Sequence, residues 1–257
     1  MILAGAIAVC TLMFVLWLIH FPLRNAALVD AGWSGGLALL GILYAALGAG
    51  LPERRWLMGA MAALWGIRLA IHLLTDRILG HPEEGRYQQL RREWKTGIGL
   101  KFLAFYEFQA LLCIVLAAPF YLAAQNAAPA LAWTEYLAAA LWLVATAGEA
   151  LADRQLAAFK RSPAHRGKVC RYGLWNWSRH PNYFFEWLIW VAFALLALPA
   201  PHGWIGLLSP ALMLYFLFRV TGIPATEAQA LRSRGEEYRR YQETTSAFLP
   251  LPPRRLS

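Results

Sequence analysis

Seven stretches of this chain are apolar and long enough to cross a bilayer as helices, at roughly 2–20, 26–48, 57–74, 102–124, 131–148, 183–199 and 203–222. A hydrocarbon core of about 30 Å takes about 20 helical residues. Backbone groups inside it are satisfied only within a helix or a closed barrel. The 257 residues are 59% hydrophobic and 15% charged, and the apolar ones come in blocks rather than at the scattered positions of a soluble core. The pattern predicts an all-α integral membrane protein with seven transmembrane helices in a single membrane domain.

The basic residues orient those helices. Of 24 Lys and Arg, 21 fall in the segments after spans one, three, five and seven, only Arg54 and Arg55 fall on the other side, and Arg68 lies inside the third span. By the positive-inside rule the N-terminus is outside and the C-terminus cytoplasmic. The net charge of +9 is confined to membrane-proximal loops and comes with no nucleic-acid recognition module, so it reads as contact with anionic headgroups or a phosphate-bearing ligand. Residues 1–20 lack a basic start and a small-residue cleavage pattern, which predicts a retained helix rather than a signal peptide. Cys10, Cys113 and Cys170 have neither metal nor redox spacing.

Three polar stretches, about 75–101, 149–182 and 223–257, carry most of the chemistry-bearing side chains. The first predicts a surface helix containing Arg86, Tyr87, Arg91 and Trp94 after a Gly80-His81-Pro82 turn. The last predicts a helix over 224–241 with Thr226 as its N-cap. Ionisable residues within spans are costly and face a cavity or a partner. Here they are Arg68 and His72, Glu107, Glu149 and Asp153, and Glu186.

At 179–186 the chain reads Arg-His-Pro-Asn-Tyr-Phe-Phe-Glu, where a basic loop turns into an apolar helix. Pro181 suits a first helical turn, and Asn182 and Glu186 then share one helix face, as do Glu149 and Asp153. Such groups can accept hydroxyl or amide hydrogens, while Lys160, Lys168, Arg171 and Arg179 in the intervening loop can neutralise phosphates. The plainer alternatives are a solvated helix end for Glu149 and Asp153, headgroup contacts for the basic loop, and an interfacial aromatic belt for Trp175, Trp177 and Tyr183. His180 is either a phosphate contact or a helix cap.

The run Tyr-Gly-Leu-Trp-Asn-Trp-Ser-Arg-His-Pro-Asn-Tyr-Phe-Phe-Glu-Trp at 172–187 and the tail Gly-Glu-Glu-Tyr-Arg-Arg-Tyr-Gln-Glu-Thr-Thr-Ser-Ala-Phe-Leu-Pro at 235–250 resemble the steroid 5α-reductase superfamily. Asp30-Ala-Gly-Trp33, Leu64-Trp-Gly-Ile-Arg-Leu69, Glu84-Gly-Arg-Tyr87 and Phe105-Tyr-Glu-Phe-Gln109 are similar to its bacterial DUF1295 branch. The resemblance implies a seven-helix, NADPH-dependent reductase of a C=C bond conjugated to a carbonyl in a steroid-like or isoprenoid lipid, set in a bacterial inner membrane. It also implies a lipid-substrate part over 1–124 and a cofactor-binding part over 125–257.

Carried over position by position, the resemblance puts cofactor contacts on Glu149, Asp153, Lys160, Lys168, Asn182 and Glu186. With the loop and tail candidates Arg171, Arg179, His180, Tyr183, Glu227 and Arg232, these form the expected NADPH site. Trp65 stands where the family's proton-donating Tyr is found, which leaves Asp30, Tyr106 and Glu107 as the candidate catalytic residues. No Gly-x-Gly-x-x-Gly follows a strand, so a dinucleotide must be held by helices and loops. Two alternatives stay open. One is an S-adenosylmethionine-dependent methyltransferase of the isoprenylcysteine type, whose Arg-His-Pro-x-Tyr step is similar; the other is a non-catalytic lipid-binding protein.

Overall fold

A computed structural model describes residues 1–220 and 222–254. Among them there is no strand, only an isolated parallel bridge between Ser178 and Ser246. Ten α-helices follow in order: α1 Ile2–Leu23, α2 Leu28–Leu47, α3 Pro52–Leu73, α4 Gly85–Trp94, α5 Ile98–Leu116, α6 Ala118–Gln125, α7 Trp133–Arg161, α8 Pro181–Ala197, α9 Leu208–Tyr215 and α10 Ile223–Thr244.

Six helical stretches among the described residues are long and apolar enough to cross a membrane: Ile2–Leu23, Leu28–Leu47, Pro52–Ile78, Ile98–Leu116, Trp133–Arg161 and Gly203–Thr244. The expected span at 183–199 forms the shorter apolar helix α8, of 17 residues. At 1.5 Å per residue it reaches about 25 Å, less than the core it was expected to cross. The expected continuous span at 102–124 is instead two helices. Pro119 has no N–H and takes the first turn of α6, so α5 stops at Leu116.

The chain divides into two compact units, Met1–Glu135 with Leu196–Gly206, and Tyr136–Leu195 with the residues from Leu207 onward. In the first unit α2 is the central helix, with 67% of its apolar window buried against 17% for α1. Small residues let α2 and α3 approach closely. A Cβ on Gly41 would lie 2.4 Å from the Ala62 Cβ, and one on Gly59 would lie 2.7 Å from the Ala45 Cβ.

At one end of the same unit Arg54 is fully buried. Its Nε and Nη2 hold the two oxygens of Glu135, and its remaining donors take the carbonyls of Asn126, Ala128 and Ala130 at 2.7, 3.0 and 2.7 Å. The sequence reading counts Arg54 among the basic residues of the segment between the second and third spans. Pro52 starts α3 two residues earlier, so Arg54 turns inward from the first turn, and every guanidinium donor is satisfied.

In the second unit, α10 starts at Ile223 behind Gly222, with Pro224 in the first turn. The expected cap residue, Thr226, is therefore inside the helix, and its hydroxyl meets the Tyr183 hydroxyl at 3.3 Å. Gly235, at φ 52°, breaks α10 internally. Beyond the break, Tyr238 and Tyr241 pack with Val169 and Ala230. Leu217, Ile223 and Phe248 form a second cluster against Tyr183, Phe184 and Trp187.

Candidate functional site

The long loop between α7 and α8 is tied down at several points of the second unit. Trp175 donates its indole N–H to the Ala152 carbonyl at 2.9 Å, and the Leu174 N–H reaches the Gln155 side chain at 2.9 Å. Tyr241 donates to the Trp175 carbonyl and lies 3.2 Å from that of Ser178. The Ser178 hydroxyl donates to the Phe248 carbonyl at 2.8 Å, and the Arg179 N–H to the Ser246 carbonyl at 2.8 Å. The start of α8 is thus fixed before any ligand arrives.

Two rungs of polar groups then lie between α7 and α8. Asn182 donates its side-chain amide to Asp153 at 3.4 Å. One turn along each antiparallel helix, Glu149 and Glu186 come to the same level. Close packing fixes that level, since a Cβ on Gly148 would lie 2.5 Å from the Phe185 ring. Glu149 is 2% exposed, and Asp153, Asn182 and Glu186 are half-buried. Three carboxyl groups and one amide on facing helices make an acceptor-rich strip suited to hydroxyl and amide hydrogens, not to phosphate.

Arg179, His180 and Glu227 form a separate knot. Arg179 Nε donates to Glu227 Oε1 at 2.7 Å, and its Nη1 donates to the Gln242 and Thr245 carbonyls at 3.0 and 2.5 Å. His180 Nε2 lies 3.2 Å from the same Glu227 oxygen, and Gln242 donates to the other at 2.8 Å. Glu227 lies on the polar segment beyond the last apolar run. Burial pushes its carboxyl up, but the His180 and Arg179 bonds outweigh that and hold it at about 2. His180 also stacks on Tyr183, the ring centroids 5.2 Å apart. The knot joins the three residues to one another rather than presenting them as an open phosphate site.

The exposed basic residues are arranged differently. Lys160 lies at the end of α7, and Lys168, Arg171 and Arg232 are exposed on the loop and on α10. The Arg171 guanidinium sits 5.3 Å from the centre of the Tyr241 ring. These are the exposed cations of the expected set.

The candidate catalytic residues all lie in the first unit, each with a partner of its own. Asp30 pairs with Arg86 and accepts the Tyr87 hydroxyl at 2.8 Å. Tyr106 is buried and donates to the Ala26 carbonyl at 3.0 Å. Glu107, next along α5, faces elsewhere, toward the Cys10 thiol. Tyr87 was not among the expected candidates. On α4 it is buried, and that burial, reinforced by the Asp30 charge, pushes its phenol well up. Its sequence signal is weak, because a lone aromatic in a charged surface helix usually packs.

The family model for "Protein of unknown function (DUF1295)" matches residues 16–245. The chain belongs to the DUF1295 family. It is also 28% identical, over 271 residues, to an uncharacterized protein of Schizosaccharomyces pombe, an alignment covering 92% of this chain and 76% of the yeast protein. No solved structure matches.

The matched range of this DUF1295 chain takes in every expected site residue, from Asp30 to Arg232. Structural supports the sequence did not reveal, Ser178, Tyr241, Gln242 and Thr245, fall in the same range. Only Ser178 stands beside the Arg-His-Pro step; the other three lie over 60 positions away in the sequence. Among the described residues no group of three or more His, Cys, Asp or Glu is placed to hold a metal ion.

Proposed function

We propose that this protein is a membrane-embedded reductase that uses NADPH to saturate a C=C bond conjugated to a carbonyl in a lipid. The observation that carries the reading is the strip of Glu149, Asp153, Asn182 and Glu186 between two packed helices, with Asn182 bonded to Asp153 at 3.4 Å. A nicotinamide carboxamide and ribose hydroxyls are donors of the kind this strip accepts. Lys160, Lys168, Arg171 and Arg232 would hold the phosphates, with Lys and Arg suited to them as point charge and planar fork.

NADPH would supply the hydride, and the chain supplies orientation, dryness and a proton. Glu186 and Asn182 would hold the nicotinamide amide, Glu186 by accepting from it and Asn182 by donating or accepting. Phe184, Phe185 and Trp187 on the same helix keep water away. Negative charge develops on the substrate oxygen, so a donor must meet it.

The proposal includes seven spans, with α8 as a short one, an external N-terminus, a cytoplasmic C-terminus and residence in a bacterial inner membrane. The test is thermal unfolding of the detergent-solubilised protein with NADPH, NADH or S-adenosylmethionine, because a ligand bound by the folded state raises the midpoint. A rise with NADPH, lost in Glu186→Gln, supports the reading. A rise with S-adenosylmethionine alone makes the protein a methyltransferase, and no rise with any of the three removes the cofactor from the proposal.

A further inference from the structure

A cavity of about 330 Å³ opens in the first unit, lined by His20, Phe21, Arg24, Glu83 and Arg91. It lies where the apolar run of α1 ends. Arg24 caps that helix in the left-handed conformation at φ 50°, its N–H on the carbonyls of His20 and Phe21. A basic residue directly after a largely lipid-facing apolar helix belongs at headgroup depth. The cavity therefore opens at the level of lipid heads, and its volume is at the lower end of those that hold small ligands.

Each wall has a defined chemical character. His20 is 1% exposed, set among the rings of Phe21, Phe102 and Tyr106. Its Nδ1 faces the Trp17 carbonyl, which only accepts, so Nδ1 carries the proton and Nε2 presents a lone pair. That Nε2 has no hydrogen-bond partner among the described residues, and an orphaned buried acceptor is costly. Glu83 and Arg91 neutralise one another through bonds of 2.8 and 3.0 Å, and Glu83 also accepts the Ala26 N–H at 2.7 Å. Arg91 rests on the Phe102 ring at 4.7 Å, so this pair is a fixed wall. Exposed Arg24 has no acidic partner among the described residues and leaves the cavity with one net positive charge.

We propose that this cavity binds the head of an amphiphile in which a singly charged phosphodiester adjoins a free hydroxyl. Arg24 takes the phosphate oxygens, and the hydroxyl donates to His20 Nε2, satisfying the orphaned acceptor. A single positive charge suits a monoanion rather than a phosphomonoester dianion, and the lone pair on Nε2 selects a donor beside it. The site needs no cofactor, so it is independent of the reductase reading.

The test uses the full chain, delipidated in detergent, with unfolding midpoints titrated against four probes. These are phosphatidylglycerol, phosphatidylethanol (the same charge without the hydroxyls), phosphatidylcholine and soluble glycerophosphoglycerol. Phosphatidylglycerol should bind at least about tenfold more tightly than phosphatidylethanol or phosphatidylcholine. Arg24→Gln, at an exposed position, should fold normally and lose about tenfold, and His20→Phe should erase the preference over phosphatidylethanol. If His20→Phe does not fold, the comparison of those two lipids on the unaltered protein reads the hydroxyl contact alone. Binding of glycerophosphoglycerol as tight as that of the lipid would make the head itself the ligand, whereas lipid-only binding would make it a membrane lipid. Equal binding of phosphatidylcholine and phosphatidylglycerol, or no loss in Arg24→Gln, overturns the proposal.

Discussion

Glu227 receives Arg179 at 2.7 Å through the same oxygen that faces His180, so the carboxylate on α10 fastens the Arg-His-Pro step that begins α8. The 48 positions between Arg179 and Glu227 are closed by this one ion pair. With side chains 10% and 14% exposed, the pair is well shielded from water.

Glu227 has a carboxyl held at about 2, below its ordinary 4.5. A depressed acid adds stability that is complete above its unfolded value and is lost as pH falls through its folded value. The unfolding midpoint should therefore drop from about pH 4.5 toward pH 2. Glu227→Gln should be less stable at neutral pH and should flatten that limb. A midpoint series across this range, on both proteins, checks it.

Removing one member of the buried Arg54–Glu135 pair strands the other charge. Arg54→Met and Glu135→Gln are each expected to cost about 3–5 kcal/mol. The double variant with both residues replaced by Met should cost less than the sum, because no lone charge remains. Detergent unfolding of the three proteins reads the coupling.

Substitution on the α7–α8 strip separates binding from folding. Asn182→Ala removes one hydrogen bond, worth about 1 kcal/mol of stability, and should weaken NADPH at least about tenfold. Glu186→Gln keeps size and shape and should do the same to NADPH. Both are read by cofactor titration beside unfolding. Retained affinity in both would end the assignment.

Gly41→Val should destabilise by at least about 1–3 kcal/mol, since its side chain would enter the space of Ala62. Gly35→Ala, at a helix position with nothing near its missing Cβ, should be tolerated. Comparing the two midpoints tests whether α2 and α3 pack through small residues.

Blocks of apolar residues made the helical membrane class legible, because the length of a span is a physical constant of bilayers. The break at Pro119 was equally legible in principle, yet the apolar run on either side conceals it. The burial of Arg54 was hidden for a different reason: its carboxylate partner is 81 positions away, and nothing local distinguishes it from neighbouring Arg55. Thr226 looked like a cap by residue type, but Pro224 and Gly222 start the helix earlier. Within the site, i, i+4 spacing put Asn182 with Glu186 and Glu149 with Asp153, each pair on one helix. What each residue faced, Asp153 for Asn182 and Glu227 for Arg179, depended on a hairpin and a tail that pattern alone does not join.

The Arg54 cluster has a consequence for the order in which the chain assembles. Residues 126 to 130 have no ladder of their own; three of their carbonyls point at a single guanidinium from α3. One organic cation thus does for this segment what a calcium ion does for a calcium-binding loop, serving as a centre around which chain is wound. Unlike a metal, it is delivered by translation, about seventy residues ahead of the backbone it organises. Closure of this turn therefore needs α3 already folded, which makes it a sensitive reporter of whether the first bundle has formed.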